Sequence, residues 1–151
     1  MDYSNTDQRY MSMAAEQAYI SVLNFRIGCV AVVSGKIVAR GYNNHRTFSK
    51  DGMISQTCSC HAEIDVLRKC MKKNITKKIN LYIVRLSSAG DWVCSAPCID
   101  CFEKMKEFQI KSMVYIGHDG SIVKRAFDDF TTSHQSSGNK AIQSKRVTCI
   151  I

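Results

Sequence analysis

The sequence has a single proline, a single tryptophan and no apolar stretch of the roughly 18 residues that a membrane-spanning helix requires. Its start, "MDYSNTDQRY", lacks the charged-then-apolar pattern of a signal peptide. Near its end, Cys149 in "VTCII" stands third from the last residue, outside the four-residue prenylation frame. A soluble, cytoplasmic protein that does not engage membranes is therefore expected. Internal repeats and linker-like segments are also missing, and 151 residues at 45% hydrophobic content suit one domain with one sizeable core. Unbroken basic blocks are absent too, although the formal net charge is +8. That surplus favours anionic partners such as nucleotides or nucleic acid. The densest run, "KKNITKK" at 72–78, reads more simply as a solvated helix end and loop than as a nucleic-acid patch.

Cysteine is what the chain has in abundance, with eight. Without a secretory pattern, metal binding or catalysis is a better expectation than disulfides. Cys98 and Cys101 form "PCIDC", directly after Pro97, and the other six cysteines offer no second Cys-x-x-Cys pair.

Hydrophobic patterning gives the order α-β-β-α-β-α-β-β. Residues 6–23 space Tyr10, Met13, Ala14, Gln17, Ala18 and Ile20 or Ser21 as one helical face. "IGCVAVV" at 27–33 is a continuously apolar strand, and "SGK" turns it into a second strand, "IVARGYN". A polar loop at 44–60 leads to a helix over 61–73, with Ile64, Leu67 and either Arg68 or Met71 on one face. "INLYIVRLS" is the third strand and "GDWVCSA" a loop. Pro97 then launches a third helix through about residue 109. "IKSMVYIG" is the fourth strand, and "HDGS" turns it into an antiparallel fifth, "IVKRAF". Residues 1–130 form the domain, and 131–151 read as a polar, loosely held tail. The expected fold class is α/β, a three-layer α/β/α arrangement around a mixed five-stranded sheet. In such sheets ligands favour strand ends where helices begin, and both His61 and Cys98 open helices.

Catalytic zinc keeps three protein ligands and leaves a fourth position to water; His61, Cys98 and Cys101 make three. Two cysteines three apart at a helix start share a face, and a helix N-terminus favours thiolate. The 36 residues between His61 and Cys98 accommodate the helix, strand and loop needed to bring a second helix beside the first. Glu63, two residues past His61, is placed to exchange a proton with the same water without binding the metal. An acidic residue at a helix start also has a plain explanation in the helix dipole, and only the downstream Pro-Cys-x-x-Cys tips the balance.

"HAE" at 61–63 together with "APCIDC" at 96–101 resembles the zinc-dependent cytidine and deoxycytidylate deaminase superfamily, whose signature is H-x-E followed by P-C-x-x-C. The likeness spans roughly residues 7–127, since "CVAVVSGKIVARGYN" also looks like that family's first hairpin. The resemblance implies zinc on His61, Cys98 and Cys101, with Glu63 as proton shuttle. Attack at C4 of a cytosine ring would release ammonia, and backbone groups of Ala62, Ala96 and Cys98 would contact the base. Asn43 matches the family's asparagine that contacts the sugar or fixes the site loop, although Asn-Asn is also good turn chemistry. Asn44 departs from the glycine that usually follows "GYN" in deoxycytidylate deaminases.

Arg26 and Arg46 are candidate phosphate ligands against a plainer reading as surface arginines, and Trp92 stacks on a base or packs in the core. His45 and His118 read as turn or surface residues. Cys58, Cys60 and Cys94 lie near the site in sequence, where some deoxycytidylate deaminases hold a second zinc. The expected substrate is a cytosine nucleoside or nucleotide. The first half of the chain leans towards nucleotide, and an antiparallel last strand leans towards nucleoside. The alternative is a nucleic-acid editing deaminase acting on tRNA adenosine or polynucleotide cytosine, which the charge supports. A zinc-stabilised module without activity would need a fourth protein ligand. The family resemblance also implies a homo-oligomer.

Overall fold

The computed structural model describes residues 2–54 and 60–132. Three α-helices, α1 (Asn5–Ile20), α2 (Ala62–Lys72) and α3 (Ile99–Met105), flank one sheet. Its strands are β1 (Arg26–Val33), β2 (Lys36–Tyr42), β3 (Ile79–Leu86), β4 (Trp92–Val93), β5 (Ile110–Ile116) and β6 (Ile122–Ala126). The main order is β2-β1-β3-β5-β6, with β4 paired to β3. Only β3 and β5 run parallel, joined through α3; the remaining pairings are antiparallel.

The three-layer α/β/α arrangement follows from strands apolar on both faces. On β1, Cys29, Ala31 and Val33 point into a core shared with α2 and α3, while Val30 and Val32 face α1. Strand β3 splits likewise: Leu81 and Ile83 face α2 and α3, and Tyr82, Val84 and Leu86 face α1. Helix α1 lies very close to the sheet. A Cβ on Gly28 would stand 1.9 Å from the carbonyl oxygen of Ala14, so only glycine permits this approach.

Local chemistry sets the element ends. Ser4 and Asp7 form a capping box at α1, each side chain accepting from the other's backbone N–H. The helix stops at Ile20, short of the expected residue 23, because Ser21 turns extended and donates its hydroxyl to the carbonyl of Asn43. Its buried face carries Met11 and Ala15 instead of Ile20, which is exposed. The β1–β2 hairpin turns on Ser34 and Gly35, both at positive φ, as a two-residue turn demands. The "HDGS" turn does make β6 antiparallel to β5.

Three expectations are corrected. The sheet has six strands, not five, because Trp92 and Val93 pair with Leu86 and Arg85; two residues are too few to show alternation. Helix α3 begins at Ile99 with Cys98 as its cap, so Pro97 lies just outside. It also ends at Met105, and the following turn tightens through bonds from Glu107 to Lys104 and from Phe108 to Met105. On α2, Arg68 turns inward and Met71 stays exposed. Phe130, against Phe102 and Tyr115, closes the α3 side of the core. The expected tail lies outside the described residues from 133 onward, as do Cys58 and Cys149. No helix among the described residues is long and apolar enough to cross a membrane.

Candidate metal centre

The site forms where β3 and β5 part. Their ladder ends at Tyr82 and Val114. Beyond it, Ser95 bridges the strands: its hydroxyl donates to the carbonyl of Ile83 and accepts from the N–H of Ile116, at 2.8 Å each. This wedge delivers Ala96, Pro97 and Cys98 to the carboxyl ends of the strands, where α3 starts. Across the sheet, Asn44 and Cys60 exchange two backbone bonds of 2.9 Å, which closes the loop after β2 and sets His61 at the start of α2.

Two helix caps thereby face each other. His61 Nδ1 lies 3.1 Å from Cys101 Sγ and 3.6 Å from Cys98 Sγ. All three donor atoms lie within 4.8 Å of one another. A tetrahedral zinc, with bonds of about 2.3 Å to sulfur and about 2.0–2.1 Å to nitrogen, spaces its donors by about 3.5–3.8 Å. The cluster therefore fits such an ion in both chemistry and scale. Among the described residues neither Cys60 nor Cys94 joins it; the Cys60 thiol is directed to the carbonyl of His61. Nor do these two form a second metal cluster among the described residues.

Electrostatics couple the group tightly. A hydrogen bond with Cys101, and then His61, hold the Cys98 thiol down at about 4 against the effect of burial. Burial lowers His61, but the bond to Cys98 and the charge of Glu63 outweigh it and raise the imidazole to about 9. The Cys101 thiol, which bonds both Cys98 and Glu63, is pushed well up. Glu63 is buried at 3% exposure, and its Oε1 has no hydrogen-bond partner among the described residues. Burial raises its carboxyl above the usual range, with the charge of His61 opposing. A carboxylate oxygen left bare inside a protein is costly unless a ligand answers it.

Ala62 is fully buried beside these groups, and Ala96 packs against the same core. The other sequence candidates lie outside the three-donor cluster. Asn43 is buried, with its side-chain oxygen accepting from Ile27 N–H and its amide donating to the Phe25 carbonyl, so it clamps the start of β1 to the end of β2. Arg26 turns to the opposite face, donating to the Ser87 carbonyl and lying over the Tyr19 ring of α1. Trp92 also packs on the α1 side. Arg46 is exposed on the loop after β2. The residue missed in the sequence is Ser95, which gives no sign in "VCSAPC" of the two strands it bridges.

A three-layer α/β fold with one His and two Cys at facing helix starts, and a buried Glu beside them, defines a narrow class. Residues 4–117 match the family model described as the cytidine and deoxycytidylate deaminase zinc-binding region, and the chain belongs to that family. The deoxycytidylate deaminase of Schizosaccharomyces pombe is 27% identical over 126 residues, covering 72% of this chain and 36% of that protein. The chain thus spans about a third of that relative's length. The dCMP deaminase of cyanophage S-TIM5, solved with dCMP and dUMP, superposes with a TM-score of 0.57 at 20% identity, over 75% of this chain and 82% of the other. Cytidine deaminase from Burkholderia pseudomallei gives 0.62 at 16% identity, over 88% and 100%. Both likenesses are of fold.

Proposed function

We propose that this chain is a zinc-dependent hydrolytic deaminase that converts a cytosine nucleoside or nucleotide to its uracil form and releases ammonia. His61, Cys98 and Cys101 would hold the metal, which when bound supplies an acidified water at neutral pH. Glu63 takes one proton of the attacking water and passes it to ring N3 as the C4–O bond forms. It then takes the remaining hydroxyl proton and passes it to the amine as the C4–N bond breaks, leaving ammonia and the C4 carbonyl of the uracil form. Because Glu63 is enclosed, its proton passes only to groups within the site. Backbone groups of Ala62, Ala96 and Cys98, fixed at the two helix starts, hold the base edge against the Glu63 carboxylate. Asn43 acts as a clamp on the strand ends beneath the sugar.

The observation that carries this reading is the bare Oε1 of Glu63 behind a three-donor cluster. A metal held only for stability gives no reason to bury a carboxylate oxygen without a partner. The relatives' names supply the substrate class, since deaminases of dCMP and of cytidine share this fold. The test is ammonia release by zinc-loaded protein offered cytidine, deoxycytidine, CMP and dCMP, then tRNA and single-stranded DNA. Turnover of a small cytosine compound is the expected result. Activity confined to polynucleotide would replace it with the editing reading, and silence on every substrate would refute both.

A further inference from the structure

Neither arginine marked in the sequence as a phosphate ligand is built into the site's sheet face, yet a third one is. Strand alternation puts Arg85 on the face of β3 that carries Leu81 and Ile83, which look toward α2 and α3. Its registered partners are Ile27 on β1 and Val93 on β4. The neighbouring row across the sheet is Gly41, Cys29 and Ile83, and Cys29 and Ile83 belong to the same buried cluster as Ala62, Cys98 and Cys101. Arg85 therefore stands one side-chain row, about 7 Å, further toward the carboxyl end of β3 than the row that packs against the start of α2 and the two cysteines. That distance corresponds to the reach from a reacting base toward the far end of its sugar.

The guanidinium is held in place, and its Nε is left without a partner among the described residues. Its carbon lies 4.6 Å from the centroid of the Phe25 ring, and the Phe25 backbone is in turn fixed by the Asn43 amide. Arg85 Nε is buried without a hydrogen-bond partner among the described residues, and no carboxylate there pairs with the side chain. Arginine stacked on an aromatic ring keeps its planar donor fork in one orientation, the arrangement suited to bidentate contact with a phosphate. We infer that Arg85 recognises the phosphate of a pyrimidine nucleoside monophosphate, and that this chain acts on the nucleotide in preference to the nucleoside. This rests on the deaminase reading above and assigns the substrate class within it.

The experiment is equilibrium binding of dUMP and of deoxyuridine to the zinc-loaded full chain, alongside turnover of dCMP and deoxycytidine. It compares the parent with Arg85→Met, Arg85→Lys and, as a surface control on α1 across the sheet, Arg9→Ala. The parent is expected to bind dUMP at least about tenfold more tightly than deoxyuridine, and Arg85→Met to abolish that difference. Arg85→Lys should retain part of it, since it keeps charge without the fork. For dCMP, Arg85→Met raises KM and leaves kcat near the parent value, while its deoxycytidine kinetics and all kinetics of Arg9→Ala are unmoved. Equal affinity of the parent for dUMP and deoxyuridine, or equal loss on both in Arg85→Met, overturns the inference. Deoxycytidine turnover in that case leaves the deaminase reading standing. A parent that neither binds nor turns over any of these compounds overturns both.

Discussion

His61 at the start of α2 and Cys101 in the first turn of α3 are 40 residues apart in sequence, yet Nδ1 and Sγ are separated by 3.1 Å. The contact is available for metal only if both helix starts stay in register. Replacing Cys101 with serine removes a thiolate while keeping a small polar side chain. The expected outcome is a fall from about one zinc per chain to a small fraction after dialysis against a mild chelator, read by atomic emission. Retention of a full equivalent would show that the metal binds elsewhere.

Arg68 and Asp51 form an ion pair of 2.9 Å that ties the loop after β2 to α2. Burial opposes ionisation of Asp51, but bonds from Ser49, the Met53 N–H and Arg68 overcome it and hold the carboxyl at about 2, below its ordinary 3.8. A lowered folded-state pKa contributes stability that is present above the unfolded value and lost as pH falls through the folded one. The parent should therefore lose stability between about pH 4 and pH 2, and Arg68→Met should lose less over that window. Near pH 7 the same variant is expected to cost about 1–3 kcal/mol in urea unfolding. An unchanged acid limb would remove the loop from the stability of the fold.

Gly28 permits the close approach of α1 to β1, where an added Cβ would meet the Ala14 carbonyl and the Ala18 nitrogen. Both obstacles are backbone, so neither can rotate away. Gly28→Ala is expected to destabilise by about 3 kcal/mol or more, or to leave the chain insoluble. A melting temperature within a degree or two of the parent would mean that α1 sits farther from the sheet.

On the opposite face, Asp7 is buried and bonded by the Tyr82 hydroxyl at 2.6 Å and the Lys124 ammonium at 3.0 Å, joining α1, β3 and β6. Tyr82→Phe leaves one carboxylate oxygen without that donor. A loss of about 1–2 kcal/mol is expected in denaturant unfolding, with zinc content unchanged because the site lies across the sheet. Loss of zinc in this variant would contradict the separation of the two cores.

Much of this was legible because period and spacing are local. The apolar run through Cys29 and Val33, the Ser34–Gly35 turn and the His61 and Cys98 motifs each declare themselves within a few residues. What depended on tertiary placement did not. The Trp92–Val93 pairing is too short to show a pattern, and Pro97 sits outside α3 because Cys98 takes the cap. Arg26 and Arg85 look alike in sequence. Only their places in the paired strands turn Arg26 toward α1 and Arg85 toward the face covered by α2 and α3. Asn43 carried the right residue type, but its bonds to Phe25 and Ile27 exist only after the strands pair.

The central claim, that Glu63 moves protons for deamination at a cluster of His61, Cys98 and Cys101, is met most directly by one comparison. Initial rates of dCMP and deoxycytidine deamination would be measured for the parent and Glu63→Gln at matched zinc content. The account predicts parent turnover and a fall of about a hundredfold or more in the variant, with zinc retained. Equal rates in the two proteins, or a zinc-loaded parent inert toward both compounds, would contradict it.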